Sequence, residues 1–203
     1  DNPLGAGYAS EGTLTIKDGV SVESNYGYLG YKSGSVGHAA VVGAGSSWNI
    51  SGDYWDSGLY VGYYGQGTLE ISNGGNVSCD WDGYIGRYSG SMGEVSVDGE
   101  GSSWNCGGDL YVGCEGTLNI TNGGNVNVEG KTRVASEEGS TGQINFDNGA
   151  LTTGGLLAAP ADLTGTGVIN THGVVSDIDL LFDSIHGTNQ TIILDSLPGQ
   201  NIT

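Results

Sequence analysis

Internal repetition constrains this chain more than any other feature. GTLTI at 12–16 returns as GTLEI at 67–71 and GTLNI at 116–120. GYLG at 27–30 returns as GYIG at 83–86, and GSVG at 34–37 returns as GSMG at 90–93 and GSTG at 139–142. GSSWN occurs at 45–49 and 101–105, and LYVG at 59–62 and 110–113. The offsets are 55 (67−12), 49 (116−67), 56 (83−27) and 56 (101−45). Each long unit divides into two halves of about 25 residues, one reading LYVG, GTLEI, GGNVSC and the other GYIG, GEVSV, GSSWNC. Runs this short cannot bury a face alone and must stack on their neighbours.

Both halves contain three short strands separated by Gly, Asn, Asp and Ser, the content of one coil of a parallel β-helix. Alternation sets the register, because successive strand residues point to opposite faces. The inward column of the middle strand is Leu14/Ile16, Ala39/Val41, Leu69/Ile71, Val95/Val97, Leu118/Ile120 and Ile144/Phe146. The third strand contributes Val22, Trp48, Val77, Trp104 and Val126, then Ser24, Ile50, Cys79, Cys106 and Val128 two residues on. After the middle strand come Asp18-Gly19, Asn73-Gly74, Asn122-Gly123 and Asn148-Gly149, dipeptides that accept the positive φ of a tight corner. The expectation is an all-β, single-stranded parallel β-helix of seven or eight coils. The large inward tryptophans favour a right-handed form. Trp48, Trp104, Cys79 and Cys106 are expected in its core, with the two cysteines stacked as neighbours and Cys114 at a corner, paired with neither.

The repeats fill residues 1–150. Residues 151–203 read as a looser continuation leading into a further domain or subunit, with strands expected at 156–157, 167–169, 174–175, 178–182 and 191–194 and a strand start at 200–203. Both ends fall in mid-pattern without a polar cap, which suggests a slice of a longer chain.

GSSWN, the Y[LIV]G triplets and GTLxIxxGGxV together resemble the repeat of large exported bacterial proteins of the autotransporter and PEP-CTERM-associated type, over residues 4–150. That resemblance implies a secreted or cell-surface β-solenoid, adhesive or structural, and brings no catalytic residues with it. No signal peptide is visible at Asp1-Asn2-Pro3, so an export signal is expected to be removed or to lie outside this segment.

Composition narrows the partners. Five basic and 23 acidic residues give a net charge of −18, against the basic footprint that nucleic acid and anionic membranes demand. No apolar run approaches the roughly 18 residues of a membrane span. Three cysteines cannot all pair. His38, His172 and His186 share no metal-ligand spacing, and the basic and acidic residues do not assemble the carboxylate or Arg/Lys constellation of a polysaccharide-cleaving site. The expectation is therefore a non-enzymatic unit that associates head-to-tail with itself or with adjoining repeats.

Two chemistries remain open. Corner acids Asp80, Asp82 and Asp109, with Asp53 and Asp56 nearby, could supply the hard oxygens calcium prefers. Tyr28, Tyr60, Tyr84 and Tyr111 recur at one position in successive coils, where they could stack on sugar rings or on one another. Trp55 and Trp81 do not fit the inward alternation and are candidates, with Tyr60, Tyr84 and Tyr111, for a polysaccharide or partner contact.

Overall fold

The structure is a computed structural model that describes residues 2–52 and 57–175 and the strand at 190–194. The expected strand at 178–182, the strand start at 200–203 and Trp55 lie outside the described residues. The first turn is β1 (Pro3–Ala6), β2 (Glu11–Ile16) and β3 (Ser21–Ser24), and the second is β4 (Tyr26–Leu29), β5 (Val36–Val42) and β6 (Ser47–Ile50). The third is β7 (Leu59–Val61), β8 (Gln66–Ser72) and β9 (Asn76–Cys79), and the fourth is β10 (Gly83–Ile85), β11 (Met92–Asp98) and β12 (Ser103–Cys106). Then come β13 (Leu110–Val112), β14 (Glu115–Thr121), β15 (Asn125–Val134), β16 (Gln143–Leu157), β17 (Leu163–Thr171), β18 (Val174–Val175) and β19 (Gln190–Leu194).

Strands β1–β18 pair in parallel with their equivalents one turn away: Leu14 with Ala39, Ala39 with Leu69, Leu69 with Val95, Val95 with Leu118. This is the expected parallel β-helix. It makes about six turns rather than seven or eight, a height of about 29 Å at ~4.8 Å per turn. The count falls short because the described parallel strands end at β18, even though the last pass contracts. Leu118 to Ile144 spans 26 residues (144−118), whereas Ile144 to its partner Leu163 spans only 19 (163−144). β16 crosses residue 150 without a break. The strand expected at 191–194 forms as β19, but it runs antiparallel to β17, with Ile169 opposite Ile192. The parallel coil direction is therefore not continued there.

The core explains why the sequence repeats every two turns. Along the first strand position the inward residues alternate as Leu4, Gly27, Leu59, Gly83, Leu110. Along the third they alternate as Val22, Trp48, Val77, Trp104, Val126. Tryptophan thus shares a turn with glycine, and valine shares one with leucine. A Cβ on Gly27 would lie 3.0 Å from Trp48 Cζ2 and 2.7 Å from Leu59 Cδ1; one on Gly83 would lie 2.8 Å from Trp104 Cζ2. Large and small residues alternate so that interdigitating layers reach the density of a protein interior. Trp48 and Trp104 are wholly buried, as expected.

GSSWN is legible residue by residue. The first serine is buried at the corner and accepts a backbone N–H from the turn before: Gly19 N to Ser46 Oγ at 3.1 Å, Gly74 N to Ser102 Oγ at 3.0 Å. The second serine and the asparagine face outward, where Ser47 Oγ donates to Ser21 Oγ at 2.8 Å and Asn105 Oδ1 accepts from Asn127 at 2.9 Å. The tryptophan between them turns inward.

The inward tryptophans differ in one bond. Trp48 Nε1 donates to Ser24 Oγ at 2.9 Å. Cys79 holds Ser24's place one turn before Trp104, and Trp104 Nε1 has no acceptor among the described residues. Cys79→Ser should therefore move the Trp104 indole N–H resonance downfield and protect it from exchange as strongly as that of Trp48, with stability changed by about 1 kcal/mol at most. An unmoved resonance would break the equivalence of the two positions. As expected, Cys79 and Cys106 are buried neighbours. Their sulfurs lie 3.2 Å apart as free thiols, and Cys114 is a free, half-buried corner residue. The Cys79 thiol and burial together push the Cys106 thiol well above its usual range.

Candidate functional site

Ten of the eleven tyrosines form one wall on the first strand and the corner after it; the eleventh, Tyr54, lies outside the described residues. Tyr28, Tyr60, Tyr84 and Tyr111 are register partners, with ring centroids 5.2, 4.9 and 4.8 Å apart and planes within 10°. After each strand a glycine of positive φ turns the chain: Gly7, Gly30, Gly62 and Gly86 at 71°, 67°, 77° and 71°. The following residue is thereby aimed into a second column, Tyr8, Tyr31 and Tyr63, stacked at 5.3 and 5.1 Å. The columns meet edge-on: Tyr60 and Tyr63 stand 87° apart at 5.1 Å. A third column stacks Tyr64 on Tyr88 at 4.5 Å. Parallel rings at the coil spacing are offset stacks, and perpendicular neighbours place a positive ring edge on a negative face.

Tyr84 therefore has Tyr60 on one side and Tyr111 on the other, and Arg133 follows Tyr111 in register with its guanidinium 5.7 Å from that ring. Stacking on one another, the alternative weighed against sugar stacking, is what Tyr60, Tyr84 and Tyr111 do. The second and third columns, Tyr8, Tyr31, Tyr63, Tyr64 and Tyr88, escaped the sequence reading. Their signal was present as the residues after GYLG and LYVG, obscured because Arg87 and Cys114 interrupt it.

Three of the five cations join the wall. Lys32 Nζ lies 4.5 Å from the Tyr8 centroid, Arg87 lies 4.5 Å from that of Tyr84 and 4.9 Å from that of Tyr88, and Arg133 caps Tyr111. Such contacts are worth about 0.5–1 kcal/mol at exposed sites. Burial raises the phenols of Tyr63, Tyr84 and Tyr111 above their ordinary range, and Asp82 adds to the effect on the last two. They remain neutral hydrogen-bond donors at physiological pH.

The expected calcium acids do other work. Asp82 Oδ2 accepts from the Tyr84 hydroxyl at 2.9 Å and its Oδ1 from Asp109 N at 2.8 Å. Asp109 Oδ1 accepts from Lys131 N at 2.8 Å and its Oδ2 from Arg133 Nε at 3.1 Å. These two carboxylates cap corner amides one turn on, and Asp80 is exposed beside them. Among the described residues no three His, Cys, Asp or Glu side chains converge to hold a metal. Trp81 is 38 % exposed, with Nε1 donating to Gly52 O at 2.8 Å. It stands at the corner, apart from the tyrosine wall.

Fold and wall together define a parallel β-solenoid with an aromatic–cationic strip along one edge. No protein-family model, curated protein or solved structure matches the chain.

Proposed function

We propose that this chain is a structural segment of a secreted or cell-surface fibre, stalk or matrix, a rod lengthened end to end by further coils. The observation that carries this reading is axial bonding of outward as well as inward side chains. Asn145 donates to Asn119 and Asn119 to Glu94, at 2.9 and 3.1 Å, while tyrosines stack on tyrosines. A surface organised this way stiffens a rod. The first turn favours extension: Leu4, Ala6, Leu14 and Val22 are only partly buried, and a cleft of about 560 Å³ opens beside Tyr28 and Tyr31. Another coil, from the same polypeptide or a second copy, would pair the open strand edges and fill that cleft. The resemblance to exported bacterial repeats points to the same setting. In this reading the rod catalyses no reaction and requires no cofactor.

Electron microscopy of the native assembly tests the proposal. Thin rods at the cell surface or in the medium are expected, and a compact cytosolic monomer that cleaves polysaccharide would refute it. A second reading, a carbohydrate-binding adhesin, rests on the exposed indole of Trp81; sugar binding on a glycan array, lost in Trp81→Ala, would favour it.

A further inference from the structure

Among the described residues the tyrosine wall gathers three of the five cations of this acidic chain, which makes it a side face through which two copies can approach. Net charge of −18 repels like molecules over most of the surface, whereas the wall gathers Lys32, Arg87 and Arg133. Its charge is also polarised along the rod. Lys32 lies toward the first turns, over Tyr8. Asp82, Asp109 and Glu137 lie toward the later ones; there Arg133 pairs with Asp109 at 3.1 Å, while Arg87 approaches Glu137 only to 4.0 Å and leaves its side chain 65 % exposed. Lys32, Tyr88 and Glu137 occupy equivalent places, each three residues beyond a register partner: Leu29, Ile85 and Val134 (32−29, 88−85, 137−134). Lys32 is two turns before Tyr88 and Glu137 two turns after it.

We propose that the wall is a self-association surface on which two rods pair side by side and antiparallel, about a two-fold axis at Tyr88. Such an isologous contact sets each residue against its counterpart across the axis. Lys32 of one copy then meets Glu137 of the other, twice, while parallel pairing would set lysine on lysine and glutamate on glutamate. Tyr64 and Tyr88, with Arg87 between the rings of Tyr84 and Tyr88, occupy the centre. Tyr and Arg are the residue types enriched at interface centres. The strip is narrow and about 24 Å tall over five turn spacings, less than the ~800 Å² per partner of a standard interface. Pairing of single segments is therefore weak, and it strengthens in longer rods where strips repeat.

Sedimentation velocity on the full chain across a wide concentration range tests this. Moderate salt should favour the dimer, because it screens the overall repulsion more than the close Lys32–Glu137 pairs. Lys32→Glu and Glu137→Lys should each weaken dimerisation roughly tenfold or more, with circular dichroism unchanged and melting lowered by no more than about a few degrees from the lost Tyr8 or Arg87 contact. An equimolar mixture of the two variants should regain it, since every contact across the axis is again opposite in charge. Tyr64→Ser should weaken it without affecting the complementation. A monomer at every concentration and salt, or two variants that fail to complement, would overturn the proposal.

Discussion

Trp48→Val should destabilise the fold by about 2–4 kcal/mol, and adding Gly27→Leu should recover most of that loss. The single change empties the volume of an indole in a wholly buried layer and strips Ser24 Oγ of its donor. Gly27→Leu alone should be at least as harmful, since its first atom would already sit 3.0 Å from Trp48 Cζ2 and Ile50 Cδ1. Together the substitutions rewrite the second turn in the form of the third, where Leu59 and Val77 share a layer. Denaturant unfolding of the four proteins should give a coupling energy of at least about 2 kcal/mol, well above the few tenths seen for independent sites. Additive effects would mean that the pairing of tryptophan with glycine is incidental. The same cycle on Trp104 and Gly83 should behave alike, with a smaller loss on removing tryptophan because that indole has no bond to forfeit.

That cycle also marks what could be read from residues alone. Period-two alternation placed Leu69/Ile71 and Val95/Val97 inward, since a strand has only two faces and the apolar residues choose one. Trp48 and Trp104 followed from the same count. The volume match of Gly27 to Trp48 was hidden, because it links positions 21 residues apart (48−27) that meet only across the coil. The wall was half legible: Tyr28, Tyr60, Tyr84 and Tyr111 share a strand position, but Tyr8, Tyr31 and Tyr63 join them through a change of chain direction at positive-φ glycines. Corner carboxylates gave the least. Asp80, Asp82 and Asp109 look alike in sequence, yet Asp82 and Asp109 bond to backbone and side chains of their own and neighbouring turns. The shortened final turn and antiparallel β19 depend on corner length and strand direction, which hydropathy does not encode.

Gly93→Ala should be strongly destabilising, costing on the order of 3 kcal/mol or more. Gly93 opens the middle strand of the fourth turn where two backbone segments almost touch. A Cβ there would fall inside contact distance of Val61 O and Gly86 N, with Ile85 C at 2.9 Å. All three are backbone atoms held in the parallel ladder, and none can swing aside as a side chain would. Gly12, Gly37, Gly67 and Gly116 stand at the same register position; Gly37, Gly67 and Gly116 are crowded in the same way, whereas Gly12 in the first turn meets only Gly7 N closely, at 2.7 Å. Gly90 provides the control. It lies three residues away at φ 80° with nothing within 4 Å of its Cβ position, so Gly90→Ala meets only the left-handed backbone penalty of about 1–2 kcal/mol. Thermal melts of the two variants separate space from conformation as the reason for glycine. Gly93→Ala should lose far more than Gly90→Ala although Gly93 does not have positive φ. Equal losses would mean that conformational freedom, rather than close packing of successive turns, keeps glycine in the repeat.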